Sequence, residues 1–103
     1  MTEQSGSSEQ QWTLYILRCS DGSYYTGIST DVQRRIREHS GESGMKRGAK
    51  ALRGKAPLTL VYEIMLADRS EALRLEYRVK QLSRIRKESL ITGNFDPRSL
   101  LNS

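Results

Sequence analysis

Apolar and aromatic side chains dominate two short runs near the start of the chain, and polar residues separate these runs. The first run covers residues 12–19 and the second covers residues 23–28. Both contain β-branched and aromatic residues, which are typical of strands. The intervening Ser20-Asp21-Gly22 is a turn signal, because glycine adopts the left-handed conformations that hairpin turns require. The pattern therefore predicts a β-hairpin.

The length of the hairpin loop decides which face of the sheet each tyrosine occupies, because successive side chains on a strand point to opposite faces. A two-residue loop puts Tyr15 and Tyr25 on opposite faces. A three-residue loop with Gly22 in the left-handed bulge position instead pairs Tyr15 with Gly27. It also pairs Leu17 with Tyr25, so the two tyrosines become diagonal neighbours roughly 7 to 8 Å apart. We predict the three-residue loop, with Gly27 leaving room for a ligand or another backbone to approach where Tyr15 crosses it.

A helical pattern follows the hairpin. Thr30 and Gln33 have the spacing of a capping box, in which two side chains satisfy free N–H groups at the start of a helix. Val32 and Ile36 then recur at the spacing of an amphipathic helix. The helix is therefore predicted to begin at about Asp31.

Two polar side chains of this helix are candidates for a site on the sheet. Arg35 and His39 lie one helical turn apart and share one edge, next to the apolar stripe. From there both can lean over the sheet face that holds Tyr15 and Tyr25. Two hydroxyls, a guanidinium and an imidazole on one surface suit an anionic substrate, and phosphate is the obvious one.

The second half of the chain predicts one more strand and two more helices. Residues 58–66 form an apolar β segment introduced by Pro57. Asp68 and Glu71 make a capping box for the helix that follows. A short final helix ends before Gly93. The first of these helices carries one apolar stripe, formed by Ala72, Leu75, Val79 and Leu82.

The predicted fold is α/β, a small three-stranded antiparallel sheet flanked by helices in the order β-β-α-β-α-α. A chain of 103 residues holds one domain at most. We expect a disordered N-terminal tail over residues 1–11, the domain over residues 12–92, and a C-terminal tail over residues 93–103.

Composition narrows the class of protein. Seventeen lysines and arginines against twelve acidic residues leave a net charge of +5. The simplest explanation of this charge is good solubility. The basic residues are clustered, however, and this favours a polyanionic partner. The lone Cys19 excludes an internal disulfide and a cysteine metal site, and we expect a buried, inert thiol. Because no apolar run has signal-peptide or membrane-spanning length, we expect a cytoplasmic protein without membrane contact.

A glycine-rich basic segment, residues 41–57, joins the first helix to the third strand. It is either a solvated linker or a phosphate-contacting loop. Seventeen residues are long for a structureless connection, which favours the second interpretation, with a helical turn over residues 49–53. Against Glu42 alone it carries five basic residues, Lys46, Arg47, Lys50, Arg53 and Lys55.

Glu76 lies beside the apolar stripe of the second helix, with Lys80 one turn further on. From the physics of the sequence alone, an ion pair on a wet surface is the favoured interpretation of these two residues.

An ordered set of residues resembles the GIY-YIG nuclease domain. Leu14-Tyr15-Ile16 is a reduced form of the first signature, and Tyr25-Thr26-Gly27 matches the second. Arg35 and His39 follow at the spacing seen in the family, and Glu76 matches its metal-binding glutamate. The similarity covers about residues 12–91. The stretches ALRGK and EYRVKQL look most like the stand-alone bacterial branch that includes YhbQ.

The resemblance implies metal-dependent hydrolysis of DNA phosphodiester bonds, in DNA repair or in processing of unusual DNA structures. Glu76 would hold one Mg²⁺ or Mn²⁺ ion, which agrees with how Mg²⁺ is usually bound, and no small-molecule cofactor is implied. Arg35 would neutralise charge on the phosphoryl oxygens. Tyr15 and Tyr25 would orient the attacking water, and one of them, left open here, would be the general base. His39 either shuttles a proton, contacts phosphate, or is only packed.

Some relatives attach this module to a separate DNA-binding domain, and none is recognisable here. DNA affinity is therefore expected from the basic segment, from Lys80 and from the helices, or from a protein partner that supplies specificity. The family places an asparagine on its late helix, whereas the nearest one here is Asn94, past the predicted end. A non-catalytic nucleic-acid-binding module is therefore the alternative, and a plain basic interaction domain is the third possibility.

Overall fold

The computed structural model describes residues 11–39, 52 and 54–102. Its sheet contains three antiparallel strands, β1 (Trp12–Arg18), β2 (Tyr24–Ser29) and β3 (Thr59–Leu66). Its helices are α1 (Val32–His39), α2 (Arg69–Lys80), α3 (Arg84–Ile91) and a final 3-10 helix (Pro97–Asn102). The predicted order β-β-α-β-α-α is confirmed, with one short 3-10 helix added at the end.

The strand order is β2-β1-β3, and the hairpin has the predicted three-residue loop. Tyr15 pairs with Gly27, and Leu17 pairs with Tyr25. The Cys19 N–H donates to the Ser23 carbonyl at 2.8 Å, which closes the loop. Within the loop, Gly22 has a φ of 85°, the left-handed conformation that the loop requires.

The central strand β1 is buried on both faces, and its alternate residues belong to two apolar clusters. Leu14 and Ile16 pack with the buried stripe of α2 and with Leu90 of α3. Tyr15 and Leu17 face the other way, into a cluster with Cys19, Leu52 and the apolar side of α1. Helices α2 and α3 therefore cover one face of the sheet and α1 covers the other. Cys19 is a buried free thiol, as predicted.

The start of α1 differs from the predicted capping box. The Arg34 N–H donates to Asp31 Oδ1 at 3.1 Å, and the Asp31 N–H donates to Ser29 Oγ at 2.9 Å. Asp31 therefore caps α1, and the prediction of Thr30 with Gln33 was wrong by one residue. Both residue types are good caps, so local sequence does not separate the two registers.

Helix α2 follows its predicted pattern. Its cap is Asp68, whose Oδ1 accepts from the Glu71 N–H at 2.8 Å. The Glu71 carboxylate accepts in return from the Ala67 N–H at 2.9 Å, one residue before the cap. Of the predicted stripe, Ala72, Leu75 and Val79 are fully buried and Leu82 is partly buried.

The C-terminal residues do not behave as a separate tail. Pro97 is buried, and the partly buried Phe95, Leu100 and Leu101 pack against the main apolar cluster. The expected tail from Gly93 onward therefore contributes to the core. These scattered apolar residues lack a helical or strand period, which is why the sequence pattern missed them.

Several expectations lie outside the described residues. They are the disorder of residues 1–10, most of the helical turn over 49–53, and the positions of Lys46, Arg47, Lys50 and Arg53. Leu52, which is described, is buried. Within the described ranges, no helix combines the length and the apolar character that crossing a membrane requires.

Candidate active site

Tyr15 and Tyr25 project from the same face of the sheet, with ring centroids 6.4 Å apart. The Tyr15 ring crosses directly over Gly27. A Cβ atom at residue 27 would lie 2.5 Å from the Tyr15 hydroxyl oxygen and 2.7 Å from its Cζ atom. The predicted space over Gly27 is thus filled by Tyr15 itself, because only a residue without a side chain lets the ring lie against the backbone.

His39, the last residue of α1, contacts both tyrosines. Its Nε2 lies 3.0 Å from the Tyr15 hydroxyl oxygen in a buried hydrogen bond. Its ring meets Tyr25 edge-on, with centroids 5.4 Å apart. The helix end therefore delivers the imidazole to the tyrosine pair, as the spacing of Arg35 and His39 suggested.

The imidazole of His39 favours its neutral form. Burial lowers its pKa from 6.5, the positive charge of Arg35 lowers it further, and the charge of Glu38 acts in the opposite direction. A neutral imidazole keeps one ring nitrogen as an acceptor. Nε2 can therefore accept the hydrogen bond that the Tyr15 hydroxyl donates.

Arg35, also on α1, acts electrostatically on Tyr15 and is held in place by Glu38. Burial alone would lower the pKa of Arg35, but its hydrogen bond to Glu38 and the neighbouring Tyr15 raise this pKa above its ordinary value. The guanidinium donates to Glu38 Oε1 at 2.7 Å, and the Glu38 side chain is only 12% exposed. Sequence reasoning missed Glu38, although its position three residues after Arg35 was a usable signal.

The phenol of Tyr15 is strongly biased towards its protonated form. Burial, followed by the neighbouring Tyr25, raises its pKa from 10.0 to about 12, although Arg35 opposes the shift. The negative charge of Glu76 also raises this pKa. Glu76 is therefore electrostatically coupled to the tyrosine pair, even though α2 packs on the other face of the sheet.

Glu76 also forms the ion pair that its spacing predicted. Its carboxylate lies 3.3 Å from Lys80 Nζ, with the Glu76 side chain 19% exposed and that of Lys80 52% exposed. A pair this exposed contributes little to stability. This geometry is compatible both with a surface ion pair and with Glu76 as a metal ligand.

The metal-binding side chains among the described residues suit Mg²⁺ better than zinc. Among the described residues, no group of three or more His, Cys, Asp or Glu side chains could hold a metal ion. Zinc in proteins is normally bound by three or four such ligands. Mg²⁺ is usually held by one or two carboxylates together with waters and substrate phosphates. Glu76 therefore fits a Mg²⁺ ion that is completed by substrate.

The end of the basic segment is anchored beside the site. The Lys55 carbonyl accepts from the Ser20 N–H at 2.9 Å, and Lys55 Nζ lies 3.5 Å from Asp21 Oδ2. Leu52 is 3% exposed and belongs to the cluster that contains Tyr15. Lys55, predicted to contact nucleic acid, thus has a carboxylate partner on the hairpin loop.

Alkaline unfolding should report the burial of Tyr15. Its pKa is about 12 in the folded protein and 10.0 in an exposed phenol, so the unfolded state loses its proton first. The resulting stability is complete below about pH 10 and is lost as the pH rises towards about 12. Urea unfolding of wild type and Tyr15→Phe across this range should show the extra loss in wild type only. If the stability of the two proteins falls equally with pH over this range, the prediction is wrong.

Comparison with known proteins identifies the family. Residues 11–89 match the model of the GIY-YIG catalytic domain. The chain belongs to the GIY-YIG family. This GIY-YIG protein is 58% identical over 81 residues to a UPF0213 protein of Pectobacterium carotovorum, covering 79% of this chain and 78% of the relative. It is 52% identical over 92 residues to the UPF0213 protein YhbQ of Salmonella arizonae, covering 89% and 88%.

Two solved structures of GIY-YIG relatives have the same fold. The solution NMR structure of a UPF0213 protein from Bacillus halodurans is 41% identical, with a TM-score of 0.52, over 88% of this chain and 93% of that one. That of a protein from E. faecalis is 33% identical, with a TM-score of 0.57, over 80% and 83%. The resemblance to the bacterial YhbQ-like branch and the predicted fold are therefore confirmed.

Proposed function

We propose that this GIY-YIG protein is a metal-dependent endonuclease that hydrolyses DNA phosphodiester bonds, in repair or in processing of unusual DNA structures in the cytoplasm. The observation that carries the proposal is the convergence on one hydroxyl. Tyr15 Oη lies 3.0 Å from His39 Nε2, and the positive charge of Arg35 acts on the same phenol. A donor for phosphate and a path for a proton thus meet at one point, which is what hydrolysis of a phosphodiester requires.

Arg35 binds the phosphate in this proposal. Its planar guanidinium donates to the phosphoryl oxygens and stabilises the charge that develops on them. The 2.7 Å hydrogen bond to Glu38 holds the guanidinium in one orientation, so less freedom is lost when the substrate binds.

Tyr15 and His39 together move the proton. With a pKa of about 12, Tyr15 stays protonated at neutral pH and cannot by itself take a proton from water. A relay avoids this difficulty. The attacking water gives its proton to the Tyr15 oxygen while the Tyr15 hydroxyl proton passes to His39 Nε2, so the phenol stays neutral. Tyr25, edge-on to His39, orients the water and the imidazole.

Glu76 would hold a single Mg²⁺ or Mn²⁺ ion. When bound, such an ion polarises the scissile phosphate and stabilises the leaving oxygen. Glu76 suits this role because a single carboxylate is enough for Mg²⁺ when water and substrate phosphate complete the coordination. The negative charge of Glu76 also acts on Tyr15.

A non-catalytic nucleic-acid-binding module is the second candidate function. Two observations favour it. Glu76 is engaged by Lys80 at 3.3 Å, and α3 ends at Ile91, before the nearest asparagine, Asn94. Under this function the same cluster grips phosphate without cleaving it.

One assay separates the two functions. The purified protein is incubated with labelled duplex, branched and single-stranded DNA and with RNA, each with Mg²⁺, with Mn²⁺ and with EDTA. The proposed function predicts cleavage of at least one DNA substrate in a divalent cation and none in EDTA. Binding without cleavage under every condition would favour the binding module. An Arg35→Ala protein should lose cleavage under the first function and only affinity under the second.

DNA affinity should fall steeply with salt, because lysines and arginines displace condensed counterions from the phosphates. Removing Lys46, Arg47, Lys50, Arg53 and Lys55 together should flatten the slope of log affinity against log salt by up to about 0.9 per lost phosphate contact. Lys55→Gln alone should change the slope little, because Lys55 is already paired with Asp21. An unchanged slope in the fivefold variant, measured by fluorescence anisotropy, would remove the basic segment from the interface.

A further inference from the structure

A groove lies on the exposed side of α2, between this helix and the final 3-10 helix. It has a volume of about 320 Å³ and is lined by Leu73, Arg74, Tyr77 and Arg78 of α2 and by Leu101 of the 3-10 helix. Tyr77 is 62% exposed and Leu73 is 39% exposed. An exposed aromatic ring beside an exposed leucine is unfavourable in water. Exposed apolar side chains that lie together in this way indicate a candidate binding surface.

The groove is basic. Arg74 and Arg78 stand one helical turn apart and are both exposed. Like charges at this spacing repel each other, so two arginines placed this way are unfavourable for an isolated helix. Within the described part of the chain Arg74 forms no ion pair, and the glutamates of α2 are engaged elsewhere, Glu71 with Ala67 and Glu76 with Lys80. The groove therefore complements an anion that also offers an apolar or aromatic surface.

The groove lies on the same helix as Glu76, the proposed metal ligand. Tyr77 directly follows Glu76, and neighbouring residues of a helix point about 100° apart around its axis. The edge of α2 that carries Glu76 thus passes directly into the face that carries Tyr77. A strand held at Glu76 can continue over the groove within a few nucleotides.

We propose that this groove binds an unpaired nucleotide, with the base stacked on Tyr77 and the flanking phosphates on Arg74 and Arg78. The inference deepens the proposed function and rests on it, because it makes DNA with an unpaired segment beside the cleavage point the substrate class. Exposed aromatic rings interleaved with basic residues bind single strands, since every unpaired base offers a ring face. Base pairs within a duplex are stacked on one another and offer none. The volume of about 320 Å³ matches a small ligand group and not a duplex.

The test measures binding in EDTA, where cleavage does not contribute. Fluorescence anisotropy compares a labelled single strand with a hairpin duplex of the same sequence. Tyr77→Ala should weaken single-strand affinity by about 5- to 150-fold, the range of one lost base stack. Duplex affinity should change by less than about twofold, because phosphate contacts dominate it. The fold should survive, since Tyr77 is exposed and alanine is the best helix former.

Three matched variants sharpen the test. Tyr77→Phe keeps the ring and should retain single-strand affinity. Ile85→Ala, which removes a 77% exposed side chain of α3 outside the groove, should leave it unchanged. Arg74→Gln should lower the salt dependence of single-strand binding by about one contact. Aromatic NMR signals of Tyr77 should shift when the single strand is added, and those of Tyr62 should not.

Two results would overturn the inference. One is equal single-strand affinity in wild type and Tyr77→Ala. The other is a dimer in sedimentation that Tyr77→Ala breaks while DNA affinity stays the same, which would assign the groove to a second copy of the chain. A protein that binds single strands through Tyr77 but cleaves nothing in Mg²⁺ or Mn²⁺ would refute the proposed endonuclease and leave the groove standing.

Discussion

Glu76→Gln should reduce cleavage by more than about 100-fold over a full Mg²⁺ titration, because it removes the charge that anchors the cation. Glutamine keeps the size and the helix propensity of the residue. The free energy of unfolding should therefore change by no more than about 0.5 kcal/mol, the scale of an exposed ion pair. DNA binding without metal should survive and become slightly tighter, because a negative charge near phosphate has gone.

Lys80→Ala is the matched control for Glu76→Gln. It breaks the same 3.3 Å ion pair without touching the proposed ligand, so cleavage should persist. Any loss of DNA affinity in this variant should appear in the salt dependence, as for a phosphate contact. If wild type and Glu76→Gln cleave equally well at every Mg²⁺ concentration, the metal role is wrong and the binding module becomes the better account.

Gly27→Ala should both destabilise the protein and inactivate it. The new Cβ would lie 2.5 Å from the Tyr15 hydroxyl oxygen, and Tyr15 is 1% exposed, so its side chain would have to shift within the packed interior. Overpacking of this kind costs about 1–3 kcal/mol. The direction of the change in the free energy of unfolding is informative, because replacing glycine by alanine inside a strand otherwise stabilises a protein by about 0.5–1 kcal/mol. Displacing the hydroxyl by about 1 Å should lower cleavage by about 100-fold.

A double-mutant cycle isolates the contact between residues 15 and 27. Tyr15→Leu removes the ring atoms that the new Cβ would meet. In that background, Gly27→Ala should cost little or nothing in urea unfolding, so the two substitutions should be strongly non-additive. Additive losses would show that the alanine acts through the strand backbone and not through Tyr15.

Hairpin parity and helix periods are local properties, and the sequence was sufficient for them. Ser20-Asp21-Gly22 has the chemistry of a three-residue loop, and that loop alone puts Tyr15 opposite Gly27. The stripe of α2 repeats with the helical period, so its burial against the sheet was predictable as well. The cap of α1 shows the limit of local information, because Thr30 and Asp31 are equivalent by residue type.

The chemistry of the candidate site depends on groups that are distant in sequence. The residues of the tyrosine cluster could be named in advance, but not the bond from Tyr15 to His39, 24 residues away, which depends on how α1 packs on the sheet. The pKa of Tyr15 rises because the tertiary structure buries it among Leu17, Cys19 and Leu52. No sequence pattern contains that desolvation.

The range of the forces explains why some features were predictable from the sequence and others were not. The sequence by itself determined the elements and their order, and it placed Tyr15, Tyr25, Arg35 and His39 on one surface, since turn chemistry and periodicity act over a few residues. The proposed metal role of Glu76 came instead from the resemblance to the family. Only the tertiary structure decided that Glu38 orients Arg35 within a partly buried pair, that Lys55 is anchored to the hairpin loop, and that residues after Gly93 close the core. Burial and long-range contact create these features, and both exist only after the chain has folded.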